Sequence, residues 1–194
     1  MPIARVQVAS QHKTTSSNVL NPVYGTALTN TNAVFAACRM DTSNSVSSIV
    51  HTGAAWALLH AYTGTAWRIE IWGACNISGA STSPAINFAS SQAHLACNIL
   101  EYSGLGATKI VDKYSNNSGT GSTLDTGGTA TTTQNDELWL SCFVGKIVED
   151  GANFTNPSNG YAIAVQDEYV TLNHLGIGTY RNCGVCDKIV SSTG

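Results

Sequence analysis

Apolar and polar residues alternate with a period of two along much of this chain, most clearly in Trp67-Arg68-Ile69-Glu70-Ile71-Trp72. Successive side chains of a strand point to opposite faces, so such a run puts one face on a core and the other toward solvent or a partner. Runs of this kind, separated by Ser, Thr, Asn and Gly, predict strands near 3–9, 19–28, 33–40, 46–51, 54–62, 66–77, 84–89, 94–102, 137–146, 160–170 and 177–190. The fold class is therefore all-β, an antiparallel β-sandwich with at most one short helix. That helix is one or two turns over Ala107–Tyr114, where Ile110 and Val111 sit between Lys109, Asp112 and Lys113. The stretch 115–133 holds too few apolar residues for a central strand and reads as a long polar loop. Strands continue on both sides of it, so a cut there would leave exposed sheet on each half. Residues 1–194 are read as one domain, with 1–30 supplying N-terminal strands or an arm.

The pleat also assigns faces. Trp67, Ile69 and Ile71 are expected in the core, with Arg68, Glu70 and Trp72 on the opposite face, toward solvent, a loop or a neighbouring subunit. Leu138, Leu140, Cys142 and Val144 alternate with Glu137, Trp139, Ser141 and Phe143. Both faces of that run are partly apolar, which predicts a central strand covered on both sides. Leu95, Cys97 and Ile99 form a third inward set.

Composition narrows the partners. Only 11% of the 194 residues are charged while 43% are hydrophobic, and the formal net charge is -3. The nine basic residues are scattered without a run or stripe. This balance suits packing against other protein and argues against an electrostatic grip on nucleic acid or on an anionic membrane. The N-terminal residues lack an apolar stretch long enough for a signal peptide, and no segment reaches transmembrane length, so synthesis in the cytosol is expected. On that expectation the Asn-x-Ser/Thr triplets at Asn76, Asn116 and Asn153 are chance matches.

Candidate chemistry is sparse. Cys38, Cys75, Cys97 and Cys142 each lie inside an apolar or alternating run, where Cys behaves as a small buried hydrophobe. Cys183-Gly-Val-Cys186 has a spacing that chelates zinc or cycles as a dithiol, which makes these two residues the weak metal candidates. A zinc site needs a second ligand pair, and a redox motif opens a helix in a βαβ unit; the chain offers neither. In an extended strand the two side chains would also point apart. No cofactor is expected. The acids Glu70, Glu101, Asp136, Glu137, Asp167 and Glu168 have no context that marks a catalytic pair, the five histidines are dispersed, and no Gly-x-Ser-x-Gly elbow occurs. A non-enzymatic protein is expected. Carbohydrate binding is the competing class: of the four tryptophans, Trp67 and Trp56 read as core, leaving Trp72, Trp139 and Tyr114 as possible exposed platforms. A second contact candidate is Pro2–Val8, in which Ile3 and Arg5 alternate with Val6 and Val8; such a segment can add as a strand to an adjacent subunit.

The order of runs carries a resemblance. Ala33-Val-Phe-Ala-Ala-Cys-Arg is followed by Val46-Ser-Ser-Ile-Val-His-Thr-Gly-Ala-Ala-Trp56 and by Glu70-Ile-Trp-Gly-Ala-Cys-Asn-Ile-Ser-Gly79. Ala85-Ile-Asn-Phe88, Ile99-Leu-Glu-Tyr-Ser-Gly104 and Thr131-Thr-Thr-Gln-Asn-Asp-Glu-Leu138 come next. Across most of the chain this order resembles a β-sandwich domain that recurs in structural proteins of tailed bacteriophages and in some bacterial surface proteins. The cysteine-bearing last strand and the extra N-terminal segment depart from it. The resemblance implies a jelly-roll-like sandwich on the virion surface, made in the host cytoplasm. It implies a capsid decoration protein, or a tail or fibre component. The partners would be itself, as a homo-oligomer such as a trimer, and a major capsid or tail protein, with a glycan as a further possible ligand.

Overall fold

The computed structural model describes residues 1–106, 111–119, 125–128, 130–131, 136–147, 154–155, 157–172 and 178–191, with 146–147, 167–172 and 178–182 described in backbone only. Eleven strands and no helix occur among them: β1 (Ala4–Lys13), β2 (Ser17–Leu20), β3 (Ala33–Met40), β4 (Val46–Val50), β5 (Ala57–Thr63), β6 (Arg68–Ala74), β7 (Ala85–Gln92), β8 (Leu95–Ser103), β9 (Glu137–Ile147), β10 (Ala162–Leu172) and β11 (Gly178–Val190). Each predicted run finds a strand. The run at 19–28 shrinks to β2, because Pro22 has no N–H to donate and the chain leaves the sheet there. Residues 111–114 are not helical, and 107–110 lie outside the described residues.

Pairing defines a rolled ribbon. β1 pairs with β8, β2 with β7 and β3 with β6, each antiparallel. When such a ribbon rolls up, alternate strand pairs fall into two facing sheets joined side by side, as in a jelly roll. That is the observed arrangement: β3 also pairs with β8, and β4 with β7. The one change is β5, which pairs with β6. The sheets therefore run β1-β8-β3-β6-β5 and β2-β7-β4. A third sheet, ordered β10-β11-β9, closes the molecule with a second antiparallel layer. β10 lies over β1, β11 over β8 and β3, and β9 reaches β6.

The five-stranded sheet thus has a core on each face. The inner core of the roll joins Val34, Cys38 and Met40 of β3 and Leu95, Cys97 and Ile99 of β8 to Leu20, Ile86 and Phe88 of the facing sheet. The outer core joins Ala33, Phe35 and Ala37 of β3 and Leu100 and Tyr102 of β8 to Val185, Leu138 and Leu140 of the third sheet. Every residue of β3 is buried, which explains its nearly continuous apolar sequence. The inward set Leu95, Cys97 and Ile99 stands as expected, at no more than 1% exposure. A fully buried Leu or Ile of this kind contributes about 1.5–3 kcal/mol.

Two face assignments are corrected. In β6, Glu70 is 1% exposed and Trp72 packs against the inner core, whereas Ile69 and Ile71 are half-buried on the opposite face. The charged face is the buried one because its charges are matched. Glu70 accepts from Arg68 Nε at 2.6 Å, from Trp72 Nε1 at 2.9 Å and from the Val46 amide at 3.2 Å. β9, expected to be central, is an edge strand by hydrogen bonding; β11 is the central strand of its sheet. The apolar residues on both faces of β9 have separate reasons. Leu138, Leu140 and Cys142 face the outer core, while Trp139 lies near Tyr161 and Phe143 meets Phe154 edge-on at 4.8 Å.

Candidate functional site

The third sheet has three strands and the sheet beneath it five, a difference of about 10 Å at the usual strand spacing. β9 ends the cover over β6, so among the described residues no strand roofs β5 and the outer face of β6. Residues 111–117 rise beside that step, and a cleft of about 530 Å³ opens between them. Phe35, Leu59, Ile69, Ile71 and Leu140 form its apolar floor, and Asp112, Lys113, Asn116, Asn117 and Thr126 its polar rim.

The aromatic groups of the cleft stand in fixed positions. His60 of β5 and Tyr114 stack with ring centroids 4.4 Å apart, and Asn116 Nδ2 lies 3.4 Å from His60 Nε2. Tyr114 remains 66% exposed, so one ring face is open. Across the cleft, Trp139 donates its indole N–H to Glu137 at 2.9 Å, and Lys188 Nζ sits 5.2 Å from its ring centre. Tyr161 is 6.4 Å from Trp139, and burial, then the nearby Cys186, pushes its phenol up from the ordinary 10.0. Burial also raises the Cys75 thiol at the floor. Aromatic planes beside amide and hydroxyl groups suit a polar ligand, and the acids Asp112, Asp136 and Glu137 and the base Lys113 border the same cleft.

The sequence-predicted contact residues separate into three places. Trp139 and Tyr114 come together on this cleft, whereas Trp72 is in the inner core. The N-terminal segment is not a free arm: β1 pairs with β8 of its own chain from Ala4 to Lys13. Ile3 is 8% exposed in the outer core, Val8 packs against that core, and Arg5 donates to both carboxylate oxygens of Asp187 at 2.9 Å. Tyr102 donates to the same carboxylate at 2.6 Å, so Asp187 fastens the third layer to the central sheet. Gly104 (φ 78°) lets the chain pass there, since a Cβ would collide with the Pro2 backbone. Of the four N-terminal candidates, Arg5 and Val6 are exposed, and Val6, at 46%, is the apolar one.

Cys183 and Cys186 lie in mid-strand on β11, on opposite faces by the pleat. Cys183 packs inward with Ala96 and receives the Asn98 amide at 3.5 Å, so the pair does not converge on one ion. Of the candidate acids, Glu70 and Glu101 are fully engaged inside the roll, and Asp136 and Glu137 border the cleft. The Asp167 and Glu168 side chains, His174 and Asn153 lie outside the described residues. Sequence reasoning missed His60, Tyr161 and Asn116, which line the cleft from three separate parts of the chain, His60 being placed there by the β5–β6 pairing. It also missed Val50 and Leu58, exposed at 63% and 46% on the edge strands β4 and β5.

Fold and surface together define a jelly-roll β-sandwich carrying an extra sheet, a side cleft and apolar side chains on its edge strands. Neither protein-family models, nor curated proteins, nor solved structures give a match to this chain.

Proposed function

We propose that this is a non-enzymatic structural protein of a bacteriophage virion, a capsid decoration protein that works through repeated protein–protein contacts at the particle surface. The observation that carries this reading is the position of Val6, Val50 and Leu58, exposed apolar side chains on three edge strands of two sheets. Each of these strands has a register shift, between Arg5 and Gln7, Val46 and Ser48, and Leu58 and His60. Bulges of this kind blunt an edge against strand addition. Contacts with a second copy or with a major capsid or tail protein therefore run through side chains, in place of the strand addition expected for Pro2–Val8. Weak contacts repeated by symmetry then sum to firm attachment. Light scattering of the purified protein is expected to give a defined oligomer, with Val6→Lys, Val50→Lys and Leu58→Lys together reducing it to monomer while circular dichroism is unchanged. A wild-type monomer at all concentrations, or an oligomer indifferent to the three lysines, overturns the reading.

The cleft favours a second activity, recognition of a neutral carbohydrate, as in a receptor-binding tail or fibre domain. Trp139 and Tyr114 offer the aromatic planes, and Asn116, Asn117 and Thr126 the amide and hydroxyl partners. On a glycan array a neutral glycan signal should weaken about tenfold or more in Trp139→Ala, the usual scale for losing a central aromatic anchor. A signal that stays at the wild-type level in both Trp139→Ala and Tyr114→Ala refutes the site.

A further inference from the structure

We infer that Cys38 and Cys97 are a disulfide site, a covalent pin between two inner strands of the central sheet that is set when the chain folds under oxidising conditions. The two residues are direct register partners on the antiparallel strands β3 and β8. Facing residues on such strands have Cα atoms roughly 4.5–5.5 Å apart, within the window of about 4.4–6.8 Å that a disulfide spans. Their sulfur atoms lie 2.9 Å apart as free thiols. Closing the bond therefore needs side-chain rotation and no shift of strand register. Cys183 does not compete for Cys97, since it packs against the opposite face of β8 with Ala96 and Asn98.

The chemistry is thiol–disulfide exchange with a small-molecule disulfide as oxidant. One cysteine thiolate attacks oxidised glutathione and expels a glutathione thiolate, which takes up the proton that cysteine released. The second cysteine then attacks the mixed disulfide, forming the Cys38–Cys97 bond and releasing a second glutathione. Two cysteine thiols are oxidised and one glutathione disulfide is reduced to two thiols. Timing follows from burial. Cys38 is 0% and Cys97 1% exposed, leaving no room for the oxidant once the sheet has formed. Burial, then the hydrogen bond with Cys38, also lifts the Cys97 thiol well above its ordinary 9.0, so the folded chain holds little thiolate. A chain folded reduced stays reduced, and a chain folded oxidised stays pinned.

The test is refolding from denaturant of the Cys75→Ser protein, in oxidised and reduced glutathione or in dithiothreitol, followed by alkylation under denaturing conditions and peptide mass mapping. The Cys75 substitution matters because trypsin leaves Cys75 and Cys97 in one peptide, 69–109. The expected result in glutathione is a cross-link of that peptide to the one ending at Arg39. The sequence separation of 59 between the cysteines sets a Tm rise of roughly 10 °C over the dithiothreitol sample. Glutathione added after folding should leave both thiols free for hours. Adding Cys97→Ala, which keeps a small apolar group in the core, should abolish both the cross-link and the rise. Free Cys38 and Cys97 after oxidative refolding, or a Tm that rises equally in the Cys97→Ala protein, overturns the inference.

Discussion

Glu101 is the sharpest test of how the roll is held, because a fully buried carboxylate there collects three donors from separate parts of the chain. Its Oε1 accepts from the Thr29 amide at 2.8 Å and Asn32 Nδ2 at 2.7 Å, and its Oε2 from Gln7 Nε2 at 2.6 Å. Replacing it by Gln keeps the shape and turns one oxygen into a donor. Placed at Oε2, the new amide faces the Gln7 donor; placed at Oε1, it faces two donors. Gln7 does not escape by flipping, since its Oε1 accepts from the Thr26 amide and hydroxyl at 3.1 Å and its Nε2 donates to the Thr26 carbonyl at 3.2 Å. At the least, one charge-assisted bond is lost and one buried donor is left unpaired, together about 3 kcal/mol. For a chain of this size that lowers Tm by roughly 6–12 °C. Urea denaturation followed by tryptophan fluorescence measures it, and Gln7→Ala should cost less in the Glu101→Gln background than in wild type. A Glu101→Gln midpoint equivalent to less than about 0.5 kcal/mol, or strict additivity with Gln7→Ala, would refute the network.

Two further outcomes test the packing. Gly184→Ala should cost about 2 kcal/mol, because the added Cβ meets the Phe143 ring and the Gln166 side chain, and Phe143→Leu should recover part of the loss in thermal melts. Alkali should destabilise the fold: Cys97 is raised above 9.0 by burial and by Cys38, so the unfolded chain releases that proton first, and the stability it confers is whole below pH 9 and drains above it. Tyr24 and Tyr102, raised chiefly by burial, join above pH 10, each adding about 1.4 kcal/mol per pH unit; a urea midpoint constant from pH 8 to 10.5 would contradict this.

The sequence alone determined the eleven strands of the described residues and most of their boundaries. Alternation and turn residues are local properties of the backbone, and they marked runs such as 33–40 and 137–146 that survive almost unchanged as β3 and β9. Which face of a strand is inside is not local. Ile69 and Ile71 read as the inward face of β6, yet they line the side cleft, while Glu70 and Trp72 turn inward because Arg68 and Val46 meet the carboxylate. The same holds for the cleft. Trp139 and Tyr114 stood out as aromatics, yet their juxtaposition depends on a three-stranded layer ending over a five-stranded one, and His60 joins them only through the β5–β6 pairing. The part-buried ion pair of Arg5 with Asp187 spans 182 residues of sequence, and the Cys38–Cys97 contact spans 59. Strand pairing over such distances is a global solution to covering apolar surface, and only the tertiary structure decided it.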